Sequence, residues 1–255
     1  MKLEIDTARN EIVQREGATE RRYPLFSAEG FELLSDLWVK VGWHEKYSYA
    51  FSWLGRPIIQ LPEDLVRIQE VVWSVRPTAI VETGVAHGGS LIFYAGLLKL
   101  LGAGKVIGID VALRPENRVA IEAHPLADAV TLVDGSSIDP AVVAQVAGCL
   151  TPSDTVLVIL DSDHSYRHVS AELAAYAGFV TPGSYLVATD GIISAFHDLP
   201  QGKSDWTTDN ATRAAADFAA ANPDFALVEP PRPFDESRVR RRPTYWPGAW
   251  LRRIR

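Results

Sequence analysis

The stretch AIVETGVAHGGSLIFYAGLL, Ala79 to Leu98, decides the fold. It opens on a short apolar run that ends at the acid Glu82. It then turns through Gly84, Gly88 and Gly89 and passes straight into helix-like sequence from Ser90. An apolar strand, a glycine turn and a helix in that order make the first half of a βαβ unit, with the helix N-terminus aimed at whatever the turn holds.

Working outward, the same alternation repeats. Buried strands are expected at TAIVET (78–83), KVIGID (105–110), AVTLVDG (129–135), TVLVILD (155–161) and SYLVATD (184–190). Helices are expected between them, at 90–102, 115–124, 140–150 and 168–180, with another at 63–75 that stops before Pro77. Strands apolar throughout and separated by helices predict a doubly wound, mostly parallel α/β sheet covered on both faces. Acids stand at or near the ends of these strands: Glu82, Asp110, Asp134, Asp161 and Asp190. Open α/β sheets bind ligands at the carboxyl ends of their strands, so five acids in succession there predict a pocket.

Residues 1–62 read as a helical and loop extension that contributes to an acceptor pocket, and residues 63–255 as the catalytic domain. The helical reading rests on FELLSDLWVKVGW (31–43), which carries apolar residues at helical spacing. The chain has 255 residues, 47% of them hydrophobic, enough for a sizeable core. Its single cysteine, Cys149, excludes an internal disulfide and a cysteine-rich metal site, and favours a reducing, cytoplasmic setting. The first residues are charged and lack the apolar core of a signal peptide, and no run is long enough to span a bilayer. A formal charge of −7 gives no support for nucleic-acid binding. The arginine-rich C-terminal stretch reads either as a solvated tail or as an anion patch.

The glycine turn lacks the second glycine of the dinucleotide fingerprint, since Ala86 stands there. A turn of the form E-x-G-x-x-x-G-G-S suits a ligand without a pyrophosphate, one with an amino acid part and a ribose. Asp110, at the next strand end, is placed to accept both ribose hydroxyls. The turn of Gly135, Ser136 and Ser137 either encloses an adenine edge or is an ordinary polar turn.

With these motifs in place, VETGVAHGGS, VIGIDV, LVDGSS, VLVILDSDHSYRHVSAEL and TPGSYLVATD resemble class I S-adenosylmethionine-dependent methyltransferases. More narrowly, they resemble the family named after cephalosporin hydroxylase, which includes O-methyltransferases acting on sugars of natural products, rhamnose among them. The resemblance runs from about Tyr47 to the C-terminus. It implies that Glu82, Gly84, Gly88, Ser90, Asp110, Gly135, Ser136, Ser137 and Asp161 surround S-adenosylmethionine. It also implies an acceptor on a glycosylated natural product, and a magnesium site at Asp163 with Thr189 and Asp190. Thr189 stands where metal-dependent relatives carry an acid.

A sugar hydroxyl needs either a general base or a divalent cation to become a good nucleophile. His164 is the first candidate base. Tyr166 stands where many relatives place a lysine or histidine, and His197 lies in a lid-like loop. The alternatives are a phenolic or catechol acceptor, a non-catalytic S-adenosylmethionine-binding subunit, and a nicotinamide-dependent oxidoreductase. Assembly of several copies through the N-terminal helices stays open.

Overall fold

The computed structural model describes residues 2–255. Two compact units make it up. One comprises Met1–Glu45 and Pro231–Thr244; the other comprises Lys46–Pro230 and Tyr245–Arg255.

The smaller unit opens with an antiparallel meander of β1 (Lys2–Asp6), β2 (Glu11–Glu16) and β3 (Thr19–Pro24). Of the expected extension, only Ala28–His44 is therefore α-helical. The charged run Glu11–Arg22 folds back because Glu16 pairs with Thr19 across a two-residue turn that Gly17 enters at φ 58°. Cross-strand ion pairs follow from that register: Arg15 with Glu4 and Glu20, and Arg22 with Glu11. Helix α1 (Ala28–His44) starts on Ser27, whose hydroxyl accepts the Gly30 N–H at 3.0 Å. No helix among the described residues is long and apolar enough to cross a membrane.

The larger unit carries the sheet. Its strands are β6 (Ala79–Thr83), β7 (Lys105–Asp110), β8 (Val130–Asp134), β9 (Val156–Leu160), β10 (Tyr185–Ala188), β11 (Phe225–Leu227) and β12 (Trp250–Arg253). They lie in the order β11-β12-β10-β9-β6-β7-β8. The five expected strands pair in parallel, and β12 runs antiparallel to both β10 and β11. Every residue of β6, β9 and β10 is buried, as strands covered on both faces require; β6 buries even its terminal Glu82 and Thr83. The covering helices are α2 (Pro62–Val75), α3 (Gly89–Leu100), α4 (Pro115–Glu122), α5 (Pro140–Cys149), α6 (Tyr166–Tyr176) and α7 (Ala211–Ala221).

The chain leaves β6 toward β7 and β8 on one side and returns to β9 and β10 on the other. The strand order thus reverses between β6 and β9, where an open sheet forms its crevice. A short hairpin, β4 (Phe51–Trp53) and β5 (Arg56–Ile58), belongs to this unit. Residues 46–62, expected in the extension, thus fold with the sheet. Gly89 shows how closely they do so: a Cβ there would stand 2.7 Å from Ile58 Cα.

Candidate active site

A cleft of about 370 Å³ opens at the switch point, lined by residues from the ends of β6, β7, β8 and β9 and from the segment after β5. Gly84, Ser90, Asp110, Gly135, Ser136, Ser137 and Asp161 line it, as does Asp163. Glu82 and Gly88, expected at the ligand, support the turn from behind instead.

Glu82 is wholly buried in β6. Its Oε2 accepts the Ser90 hydroxyl at 2.6 Å, and its Oε1 has no hydrogen-bond partner. Burial, with the Asp161 carboxylate adding to it, pushes the Glu82 carboxyl well above the usual range, against the pull of Ser90. Gly88, the residue before α3, has φ 78°, and a Cβ there would overlap the Ile121 side chain. Its role is close packing.

Asp110 faces the cleft while it holds the glycine turn. Its Oδ2 accepts the N–H groups of Val85 and Ala86 at 2.9 and 3.1 Å, and its Oδ1 accepts that of Ala112 at 2.8 Å. Ala86 takes φ 47°, a left-handed conformation stabilised by this carboxylate. Two residues absent from the sequence expectation complete the turn. Arg56 donates from Nε and Nη2 to the His87 carbonyl, at 3.0 and 2.6 Å. Asn117 donates to the Ala86 carbonyl at 2.9 Å. Nothing local in the sequence marks either residue, because each acts across a long separation.

The acidic cluster is arranged differently from the expected set. Asp161, His164 and Asp190 bring one donor atom each within 4.8 Å of one another. His164 Nε2 lies 3.6 Å from Asp190 Oδ2, and His164 Nδ1 is buried with no hydrogen-bond partner. Asp161 is fixed from both sides: Gln60 donates to Oδ2 at 2.8 Å and the Thr189 hydroxyl to Oδ1 at 2.5 Å. Burial and the Asp190 carboxylate push the Asp161 carboxyl up, while His164 and Thr189 oppose this. Burial raises Asp190 likewise, with the Trp246 side chain opposing. Asp190 itself stands at φ 54°, a conformation that aspartate accepts more readily than most residues.

Four expected site residues do not join this cluster. The Asp163 carboxylate accepts the Ser165 N–H at 2.8 Å just ahead of α6, and that bond holds it below the usual carboxylate range. Thr189 is buried, and its hydroxyl donates to Asp161 Oδ1 while also lying 2.9 Å from the Leu160 carbonyl oxygen. Tyr166 packs toward α7: its hydroxyl donates to Asp217 at 3.0 Å and the Arg213 guanidinium lies over its ring. His197, expected over the site, is exposed, does not line the cleft, and has Nδ1 3.1 Å from the Ser194 carbonyl.

A doubly wound sheet that gathers a glycine turn, a strand-end acid and a serine turn around one cleft has the form of a class I S-adenosylmethionine-dependent O-methyltransferase. The chain belongs to the Rhamnosyl O-methyltransferase/CmcI family, whose profile matches residues 45–254. It is 30% identical over 185 residues to a rhamnosyl O-methyltransferase of Mycobacterium bovis, spanning 69% of this chain and 72% of that one. The Mycobacterium leprae enzyme of the same name is 26% identical over 152 residues, spanning 59% and 64%. Among solved structures, an apo-structure of CmcI superposes with a TM-score of 0.54 at 20% identity, over 81% of this chain and 77% of that one. A CmcI structure with Mg and SAM gives 0.51 at 19% identity, over 81% and 78%.

Proposed function

We propose that the chain transfers a methyl group from S-adenosylmethionine to a hydroxyl of a small-molecule acceptor, a rhamnosyl-type deoxysugar on a natural product. In this reading Asp161, Asp190 and His164 hold a magnesium ion. The acceptor class follows the rhamnosyl name of the mycobacterial relatives. The observation that carries the reading is the double position of Asp161, which lines the cleft and also belongs to the acidic cluster. A methyl donor in the cleft and an acceptor oxygen at the cluster would then meet across one carboxylate.

The donor set fits the ion. Magnesium takes one or two carboxylates and leaves room for substrate oxygens. Asp161, Asp190 and His164 offer two carboxylates and one imidazole within 4.8 Å of one another, which supplies the carboxylates that would hold magnesium. When bound, the ion lowers the pKa of an acceptor hydroxyl. The protein's own groups do the rest. Gln60 and Thr189 aim Asp161, Asp110 and Arg56 fix the glycine turn, and the buried strands exclude water from behind.

The test is methyl transfer to a rhamnosylated acceptor with and without Mg²⁺, in the wild type and in Asp190→Asn. Activity that needs Mg²⁺ and falls about a hundredfold or more in Asp190→Asn supports the reading. Activity indifferent to chelator but lost in His164→Ala assigns the proton transfer to the histidine and removes the metal. Failure to bind S-adenosylhomocysteine refutes the whole proposal.

A further inference from the structure

Glu172, on α6, is wholly buried behind the cleft, and no step above uses it. Its Oε1 accepts two hydroxyl hydrogens, from Ser137 at 2.6 Å and from Ser162 at 2.7 Å. Ser137 follows β8, Ser162 follows β9, and both line the cleft. His168, four residues earlier, also lines it; its Nε2 stands 3.2 Å from Ser137 Oγ and 3.4 Å from Glu172 Oε1. Tyr176, four residues later, donates its hydroxyl to the Ser137 carbonyl at 2.9 Å. The spacing of four puts all three on one helix face, so one stripe of α6 holds both strand-end turns.

A serine hydroxyl has one hydrogen to give and two lone pairs. Glu172 takes the hydrogen of both serines. Toward a ligand, Ser137 and Ser162 can therefore only accept, and His168 Nε2 is left as the donor in its contact with Ser137. The second Glu172 oxygen has no hydrogen-bond partner. Burying a carboxylate in this way costs stability, and what the carboxylate secures is the orientation of two hydroxyls in the cleft.

We infer that Glu172 is a positioning residue that makes this wall of the cleft acceptor-only, so that it selects a base with an exocyclic amine, as in adenine, over its 6-oxo counterpart. An amine donates into such a wall. An oxo group brings one more lone pair and leaves the serine oxygens unpaired, the kind of mismatch on which strong discrimination rests. The inference rests on the reading of the cleft as the S-adenosyl site.

Calorimetric titration of the full chain with S-adenosylhomocysteine and with S-inosylhomocysteine tests it, in the wild type, Glu172→Met and Ser162→Ala. The wild type is expected to prefer the amino ligand by about tenfold or more. Glu172→Met frees both serine hydrogens, and Ser162→Ala removes one acceptor, so each variant is expected to bring the preference within about threefold. A general loosening of the cleft would weaken both ligands in proportion and keep the ratio, which would overturn the role given to Glu172. Tight binding of both ligands to the wild type with a ratio near one would overturn the inference and leave the methyl-donor site standing. Binding of neither would overturn both. If Glu172→Met does not fold, Ser162→Ala decides: an unchanged ratio refutes the inference and a collapsed one supports it.

Discussion

Replacing Gly84 by alanine should damage the fold and the chemistry together. Gly84 leaves β6 at φ 87°, with its N–H bonded to the Ile109 carbonyl at 2.7 Å. A Cβ there would overlap the Asp161 carbonyl oxygen and stand 2.7 Å from its carbon. Non-bonded carbons rest at about 3.5 Å, so the Asp161–Ser162 peptide must retreat by roughly 0.8 Å. The left-handed backbone costs an alanine about 1 kcal/mol. Forcing the overlap costs about 1–3 kcal/mol more. For a chain of this size the total corresponds to a fall in Tm of roughly 10 °C. The retreat also drags Asp161 from Gln60 and Thr189, and a displacement of that order at a reacting site costs about a hundredfold in rate. The assay is thermal denaturation, S-adenosylhomocysteine titration and methyl transfer on Gly84→Ala. Gly148→Ala serves as control, since a Cβ at Gly148 meets nothing within 4 Å. If Gly84→Ala melts within about 2 °C of the wild type and binds the ligand normally, the close approach of β6 and β9 is not what shapes the cleft.

Three further outcomes are expected. Asp154 accepts from Lys105 Nζ at 2.8 Å, from the Thr151 N–H at 2.7 Å and from the Thr78 hydroxyl at 2.9 Å. Burial raises its carboxyl, but these partners outweigh burial and hold it well below the usual range. Its stabilisation is thus complete above the unfolded carboxylate range and lost as pH falls toward the folded value. In urea melts, Asp154→Asn should cost about 2 kcal/mol at neutral pH and progressively less below pH of about 4; a gap constant with pH would refute this. Arg56→Ala frees the His87 carbonyl and should weaken S-adenosylhomocysteine binding about tenfold, measured by calorimetry, with little change in kcat. Tyr166→Phe loses only the bond to Asp217 and should keep kcat within about twofold, because that bond is worth about 1 kcal/mol of stability at most. A large fall in kcat would return Tyr166 to the site.

The legible part of this molecule is the part whose signal is local. An apolar run too short for a helix, bounded by a strand-end acid and a glycine or proline, identifies β6 to β10 within a residue or two. The covering helices α2 to α6 follow from their caps and periodicity, whereas α7 was not among the expected helices. The meander of β1 to β3 was not legible, because its strands are stabilised by charges paired across the register, and a run such as EIVQRE has no period-2 apolar pattern. The hairpin before α2 carries no local signal for a related reason: its strands are three residues each and are held by Arg56 and by packing against Gly89. Glu172 and Gln60 belong to the same class, being polar residues in amphipathic or loop sequence whose partners lie on distant strands. A cue existed for Glu172 alone, four residues after His168 on a stripe otherwise apolar at Val169, Leu173 and Tyr176.

The motif D-S-D-H-S shows where residue type stops and geometry decides. Both aspartates follow β9, and either could face the cluster by composition. The backbone separates them. Asp161 N–H still pairs with the Thr83 carbonyl at 2.9 Å, so this residue continues the ladder and its side chain is aimed by the sheet. Asp163 lies two residues before Ser165, the cap of α6, where N–H groups at the helix start draw in any nearby carboxylate. In a strand-to-helix turn, the acid next to the strand is thus free to serve a ligand, while the acid next to the helix is drawn into holding the helix start. The same division explains Thr189. A carboxylate at that position, buried beside Asp161, would add a like charge to Asp161 and Asp190. A hydroxyl there instead donates a hydrogen to Asp161 and fixes which of its lone pairs remain for the cleft. The departure from an acidic pair therefore leaves Asp161 oriented and Asp190 available, which is the arrangement a two-carboxylate site requires.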